Sequence, residues 1–137
     1  MRPPEEIKRK VAAEWLSKAN SDFDLAEHLL AEGTAFLNAI AFSSQQAAEE
    51  YLKAFLVWHQ VSFPKTHDLE EILDLVETVD ADLAESLRDI IIRTLYGVEL
   101  RYPGDRPDAT PEVAREAVAL ARKVRDAVLN VLPIKQG

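Results

Sequence analysis

Cysteine is absent from the chain. That excludes a disulfide framework, a thiolate metal site and a cysteine nucleophile. Only four glycines occur among 137 residues, and none of them builds a glycine-rich phosphate loop. Gly-x-Ser-x-Gly and His-Glu-x-x-His are also missing, which removes the commonest hydrolase and zinc-protease signatures. The residues three before His28, His59 and His67 are Leu25, Leu56 and Pro64, so the Glu-x-x-His ligand pattern of di-iron helical proteins is lacking too. We therefore expect no metal and no cofactor. Long apolar runs are wanting, and MRPPEEIKRK carries charge and proline where a signal peptide needs hydrocarbon. A cytoplasmic protein with no membrane association is the expectation. Short alternating runs of β-branched and aromatic residues are equally scarce, which predicts almost no strand.

What the sequence does hold is helical periodicity. From Glu5 to Glu32, apolar residues recur at Val11, Trp15, Ala19, Phe23, Ala26 and Leu30, on one face of a helix that Pro3 and Pro4 open and Gly33 closes. Thr34 is expected to cap a second helix with Phe36, Ile40, Ala47, Tyr51, Phe55 and Trp58 inward. So short a break makes the two an antiparallel hairpin. Pro64 marks a connection, after which Asp68 and Glu71 form a variant capping box for a short helix burying Leu69, Ile72, Leu73 and Val76. A fourth helix should start near Asp80, turn Leu83, Leu87, Ile90, Ile91, Leu95 and Val98 inward, and end before Pro103. Arg101 to Glu112 reads as the one substantial loop, with a type II turn at Pro103-Gly104. Thr110-Pro111-Glu112 then starts a last helix that buries Val113, Ala117, Leu120, Ala121, Val124 and Val128. The predicted fold is all-α, one domain over residues 1–137, an antiparallel up-and-down bundle of four long helices plus one short helix.

The formal net charge is −8, and it is unevenly spread. Between Asp68 and Glu99 ten acids stand against two bases, Arg88 and Arg93, leaving fourteen of each sign elsewhere. That segment is either a solvated face or a dock for a basic partner. In both cases it repels nucleic acid.

Three polar groups fall where a helical core does not require them. Gln46, Glu49 and Lys53, accompanied by Gln45 and Glu50, share a face of the second helix at spacings of three and four. They make either a surface ion pair or the rim of a groove. In Lys65-Thr66-His67-Asp68, Thr66 or Asp68 caps the next helix and His67 packs on the second helix or a backbone carbonyl. Alternatively, the N-terminus of that helix, with Lys65 beside it, offers a phosphate seat. Arg101 either neutralises the end of the fourth helix, with Tyr102 plugging the bundle, or the two grip a phosphate and stack a base.

In this order, these residues resemble the HEPN family. The likeness rests on Trp15-x-x-x-Ala19 with Asp22 and Leu25-Ala26, Ser44-Gln45-Gln46-Ala47-Ala48-Glu49-x-Tyr51-Leu52-Lys53-Ala54, Phe63-Pro64-Lys65-Thr66-His67-Asp68-Leu69 and Arg101-Tyr102-Pro103. The resemblance implies a bundle that forms a homodimer, binds a nucleotide or RNA, and works with a minimal nucleotidyltransferase partner, in some pairs as a toxin–antitoxin module. Ribonuclease members of the family carry an Arg followed four to six residues later by His. Neither Arg93 nor Arg101 is so followed, so no catalytic residues are carried over and a binding subunit is the leading reading. Its expected contact residues are Gln46, Glu49, Lys53, Lys65, His67, Asp68, Arg101 and Tyr102. The alternatives are a ribonuclease toxin with a non-standard site using Arg101, Tyr102 and His67, and a structural adaptor docking through its acidic helices.

Overall fold

Proline, glycine and three capping side chains set most of the helix limits. A computed structural model describes residues 4–33, 35–101 and 109–134, with side chains at 5–33, 35–94 and 109–134. Among them are five helices and no strand: α1 (Pro4–Glu32), α2 (Leu37–Trp58), α3 (Leu69–Glu77), α4 (Ala81–Arg101) and α5 (Pro111–Val131). The chain is all-α, as its periodicity predicts. No described helix is long and apolar enough to cross a membrane.

Gly33 ends α1 at φ 126°, a region open to glycine because it has no Cβ. Asp68 starts α3 by accepting the backbone N–H groups of Glu70 and Glu71 at 2.9 and 3.4 Å. Asp80 accepts from the Leu83 N–H at 3.0 Å at the head of α4. The Thr110 hydroxyl takes the Val113 N–H at 3.1 Å, with Pro111 in the first turn of α5. Thr34, the expected cap of α2, lies outside the described residues. Phe36 occupies the N-cap position without a side-chain cap bond, and at 56% exposed it is not part of the buried stripe. Pro103, Gly104 and the side chains of Leu95 and Val98 also lie outside the described residues.

α1 and α2 make the most extensive helix pair, α2 also packs on α5 and α3, and α4 bridges α3 and α5. Along the first pair Asn20 meets Tyr51, Trp15 meets Lys53 and Lys8 meets Trp58. The contacts run in opposite directions along the chain, so the hairpin is antiparallel. Buried Ala12, Ala19, Ala26, Ala47, Ala48 and Ala54 bring the helices close. One register correction follows: Ala12 and Leu16 occupy the centre of the α1 face, which leaves Val11 and Trp15 half-buried on its flank. α2 therefore lies against three other helices, and whatever polar groups it carries must be satisfied inside the bundle or at its edge.

Candidate functional site

A helix buried on several sides should be apolar through its middle, yet α2 buries charge. Glu49, Glu50 and Lys53 are only 3%, 2% and 6% exposed. A buried ion is tolerated only with partners that replace its water. Lys53 has them: Nζ donates to Glu49 Oε2 at 2.9 Å and to the Thr66 carbonyl at 3.0 Å. The rings of Trp15 and Phe63 lie 5.5 and 5.6 Å from the ammonium and meet each other edge-on at 6.1 Å. These aromatic faces stabilise the cation without hydrating it. Lys53 is thus an internal strut joining α2 to the corner before α3.

That strut fixes His67. The Thr66 carbonyl immediately before it is held by Lys53, and the Thr66 hydroxyl accepts the Asp68 N–H at 3.1 Å. The His67 ring reaches the other end of the strut, with Nδ1 at 3.0 Å from Glu49 Oε2 and 3.1 Å from Oε1. A carboxylate oxygen accepts, so Nδ1 is the donor in this contact. The His67 side chain is 81% exposed, against 5% for that of Glu49. A buried carboxylate therefore aims a solvent-facing imidazole.

Beside this pair lies a cleft of about 240 Å³ lined by Phe42, Gln45, Gln46, Glu49 and His67. Phe42 is 66% exposed, an apolar ring left in water at the cleft wall. The two glutamines bring amide donors and acceptors. The cleft thus pairs a flat aromatic surface with hydrogen-bonding groups of both kinds, a combination suited to a planar heterocycle.

Of the residues singled out in the sequence, Gln46, Glu49, Lys53 and His67 are brought together. Asp68 adjoins them as the cap of α3, and its carboxylate occupies two of the N–H groups to which a phosphate would bind. Lys65 is exposed on the same corner. Arg101 is the last residue of α4, while its side chain and Tyr102 lie outside the described residues. Phe42 is not among the residues that sequence reasoning selects, although its signal is present: it is a large aromatic displaced from the stripe defined by Ile40, Ala47 and Tyr51.

Glu50 faces the other way, toward α1. Lys18 Nζ stands 3.5 Å from its Oε2, while Oε1 is buried without a hydrogen-bond donor. Burial first, and then the neighbouring Asp22 carboxylate, push its carboxyl up to about 8, against the pull of Lys18. Among the described residues no group of three or more acids and histidines is placed to hold a metal. On the acidic side, Asp74 and Glu77 clamp Arg88 at 3.1 and 2.5 Å, tying α3 to α4.

Compared with known proteins, the chain matches no curated protein and no solved structure. One family model does match, described as the HEPN domain, over residues 12–131. That span takes in all of α2, α3 and α4, the whole of the cleft, and the Lys53 strut. The chain belongs to the HEPN domain family.

Proposed function

We propose that this protein is a HEPN-type nucleotide- or RNA-binding subunit that seats an unpaired base in the Phe42 cleft. Membership of the family supports a nucleotide- or RNA-related role in broad terms. The observation that carries the finer reading is the cleft itself: an exposed aromatic ring, two amides and a fixed imidazole around about 240 Å³. Stacking on an aromatic face is sequence-tolerant, and amides read base edges in single strands. No lysine or arginine lines the described cleft, and Lys53 is already paired with Glu49 and Thr66, so the cleft recognises the base more than the phosphates. On this reading the protein acts as a cytoplasmic homodimer with a minimal nucleotidyltransferase partner, as one half of a toxin–antitoxin module.

Titration calorimetry with ATP, GTP and short single-stranded RNAs tests the binding. Phe42→Ala is expected to weaken it about tenfold, since base–aromatic stacking contributes about 1–3 kcal/mol. Co-expression with the neighbouring reading frame tests the partnership, and a stable co-purifying complex with a minimal nucleotidyltransferase is the expected result. Absence of both nucleotide binding and complex formation removes the proposal.

A further inference from the structure

We infer that Val11, Glu14, Trp15 and Lys18 on the flank of α1 form a second base seat. It takes the nucleotide joined to the one in the Phe42 cleft, with Lys18 on the phosphate that links them. The inference rests on the reading of that cleft as a base-binding seat.

These four residues line a groove of about 290 Å³. Its aromatic surface is the half-buried Trp15 indole, braced by buried Lys53 at 5.5 Å and edge-on by Phe63 at 6.1 Å. A ring already fixed in place loses little freedom when a base stacks on it. The groove and the first cleft stand on either side of one ion pair. Lys53 Nζ is 5.5 Å from the indole centre and 2.9 Å from Glu49 Oε2, and Glu49 lines the cleft. Two neighbouring nucleotides of an unstacked single strand can bridge that separation.

Lys18 is loosely held. Its side chain is 64% exposed, and Nζ stands 3.5 Å from Glu50 Oε2, longer than a firm N–H···O bond. It is 5.9 Å from the indole centre, at the outer limit of a cation–π contact. Burial, and then Asp22, raise the Glu50 carboxyl to about 8, so at neutral pH Glu50 does not cancel the Lys18 charge. A mobile cation beside a fixed ring is the pair that a stacked base and its phosphate require. Glu14 gives the seat a preference. Its carboxyl oxygens can accept the guanine N1–H and N2–H together, whereas uracil turns two carbonyl oxygens toward them around a single N–H. Guanine is therefore favoured on Trp15 and uracil disfavoured.

The test uses the full chain carrying Trp58→Phe, which leaves Trp15 as its single tryptophan. Should that variant not fold, the difference in fluorescence between the parent chain and Trp15→Phe gives the same readout. The probes are guanosine, uridine and the dinucleoside monophosphates GpG and UpU. GpG should bind at least about tenfold more tightly than guanosine, as one added stacked base implies. It should also quench Trp15, which guanosine does not at the concentration that fills the cleft. Lys18→Ala should bind guanosine as before, bind GpG about fivefold more weakly and lower the salt slope by about one. The preference for GpG over UpU should exceed that for guanosine over uridine, and Glu14→Gln should narrow it about fivefold. Both substitutions are at exposed positions, and unchanged melting curves are expected. GpG binding no tighter than guanosine, an unquenched Trp15, or GpG affinity unchanged in Lys18→Ala overturns this inference and leaves the first seat standing. Loss of a co-expressed partner from Lys18→Ala with GpG binding intact also overturns it, by giving the groove to a protein. Failure of guanosine and GpG alike to bind overturns both readings.

Discussion

At the scale of single residues, α2 carries two buried acids side by side with opposite solutions to the same problem. Glu49 is paired with Lys53 at 2.9 Å, and Glu50 keeps its proton because burial and Asp22 oppose ionisation. Glu50 has a folded pKa of about 8 against an ordinary value of 4.5. The folded state therefore binds more protons than the unfolded chain across that window. Its contribution to stability is complete below about 4.5 and is lost as pH rises toward about 8. Thermal melts from pH 5 to 8 are expected to show a falling midpoint. Glu50→Gln, which has the same shape and no proton to lose, should flatten that fall and be the more stable protein at pH 8. The Glu49 and Lys53 pair gives the complementary result. Lys53→Met alone should cost about 3–5 kcal/mol in urea unfolding, because it strands a buried carboxylate, and adding Glu49→Leu should recover much of the loss. Sequence spacing places Glu49, Lys53 and Gln46 on one face, but spacing has no depth coordinate. It gives no sign that a pair expected at the surface is 3% and 6% exposed, since that depends on Trp15 and Phe63 arriving from distant parts of the chain.

At the scale of elements, the limits that are legible in the sequence are those written by local chemistry. Asp68 and Thr110 cap α3 and α5 as their side chains require, and Gly33 closes α1. Asp68→Ala should destabilise the protein by about 1 kcal/mol, and Thr110→Ala by a similar amount, measured by denaturant midpoint at constant m. The two should add, because the caps serve separate helices. The apolar faces are legible in proportion to their narrowness. α5 buries each residue of its expected face from Val113 to Val128. In α1 the expected Ala19, Phe23 and Ala26 are buried, and only the early part of the stripe moves by one position, from Val11 and Trp15 to Ala12 and Leu16, because these four residues offer two overlapping faces and periodicity alone does not choose between them. The press of α2 on the Ala12 and Leu16 side decides it. Phe42 escapes a sequence reading for a related reason: a ring left outside the stripe has meaning only once the wall opposite it, His67, is in place.

Across the whole molecule, negative charge gathers between Asp68 and Glu99, a stretch that begins next to His67 at the edge of the cleft. Part of that stretch is spoken for, since Asp74 and Glu77 hold Arg88 and so lock α3 to α4. Reversing both charges is expected to lower the melting temperature by loosening this clamp, and to leave RNA affinity unchanged in the same preparation. With −8 overall and no uncommitted lysine or arginine lining the described cleft, binding should respond weakly to salt. A plot of log K against log salt is expected to have a slope of about −1, equivalent to one or two phosphate contacts. A slope several times steeper would mean that a basic track elsewhere dominates.

Phe42 through His67 is a single uninterrupted stretch of chain, with Trp15 lent from α1. A surface assembled from one such run has an engineering consequence. The whole cleft can be rewritten by replacing one short length of DNA, so ligand preference can be diversified as a cassette while the other helices serve as an unaltered chassis.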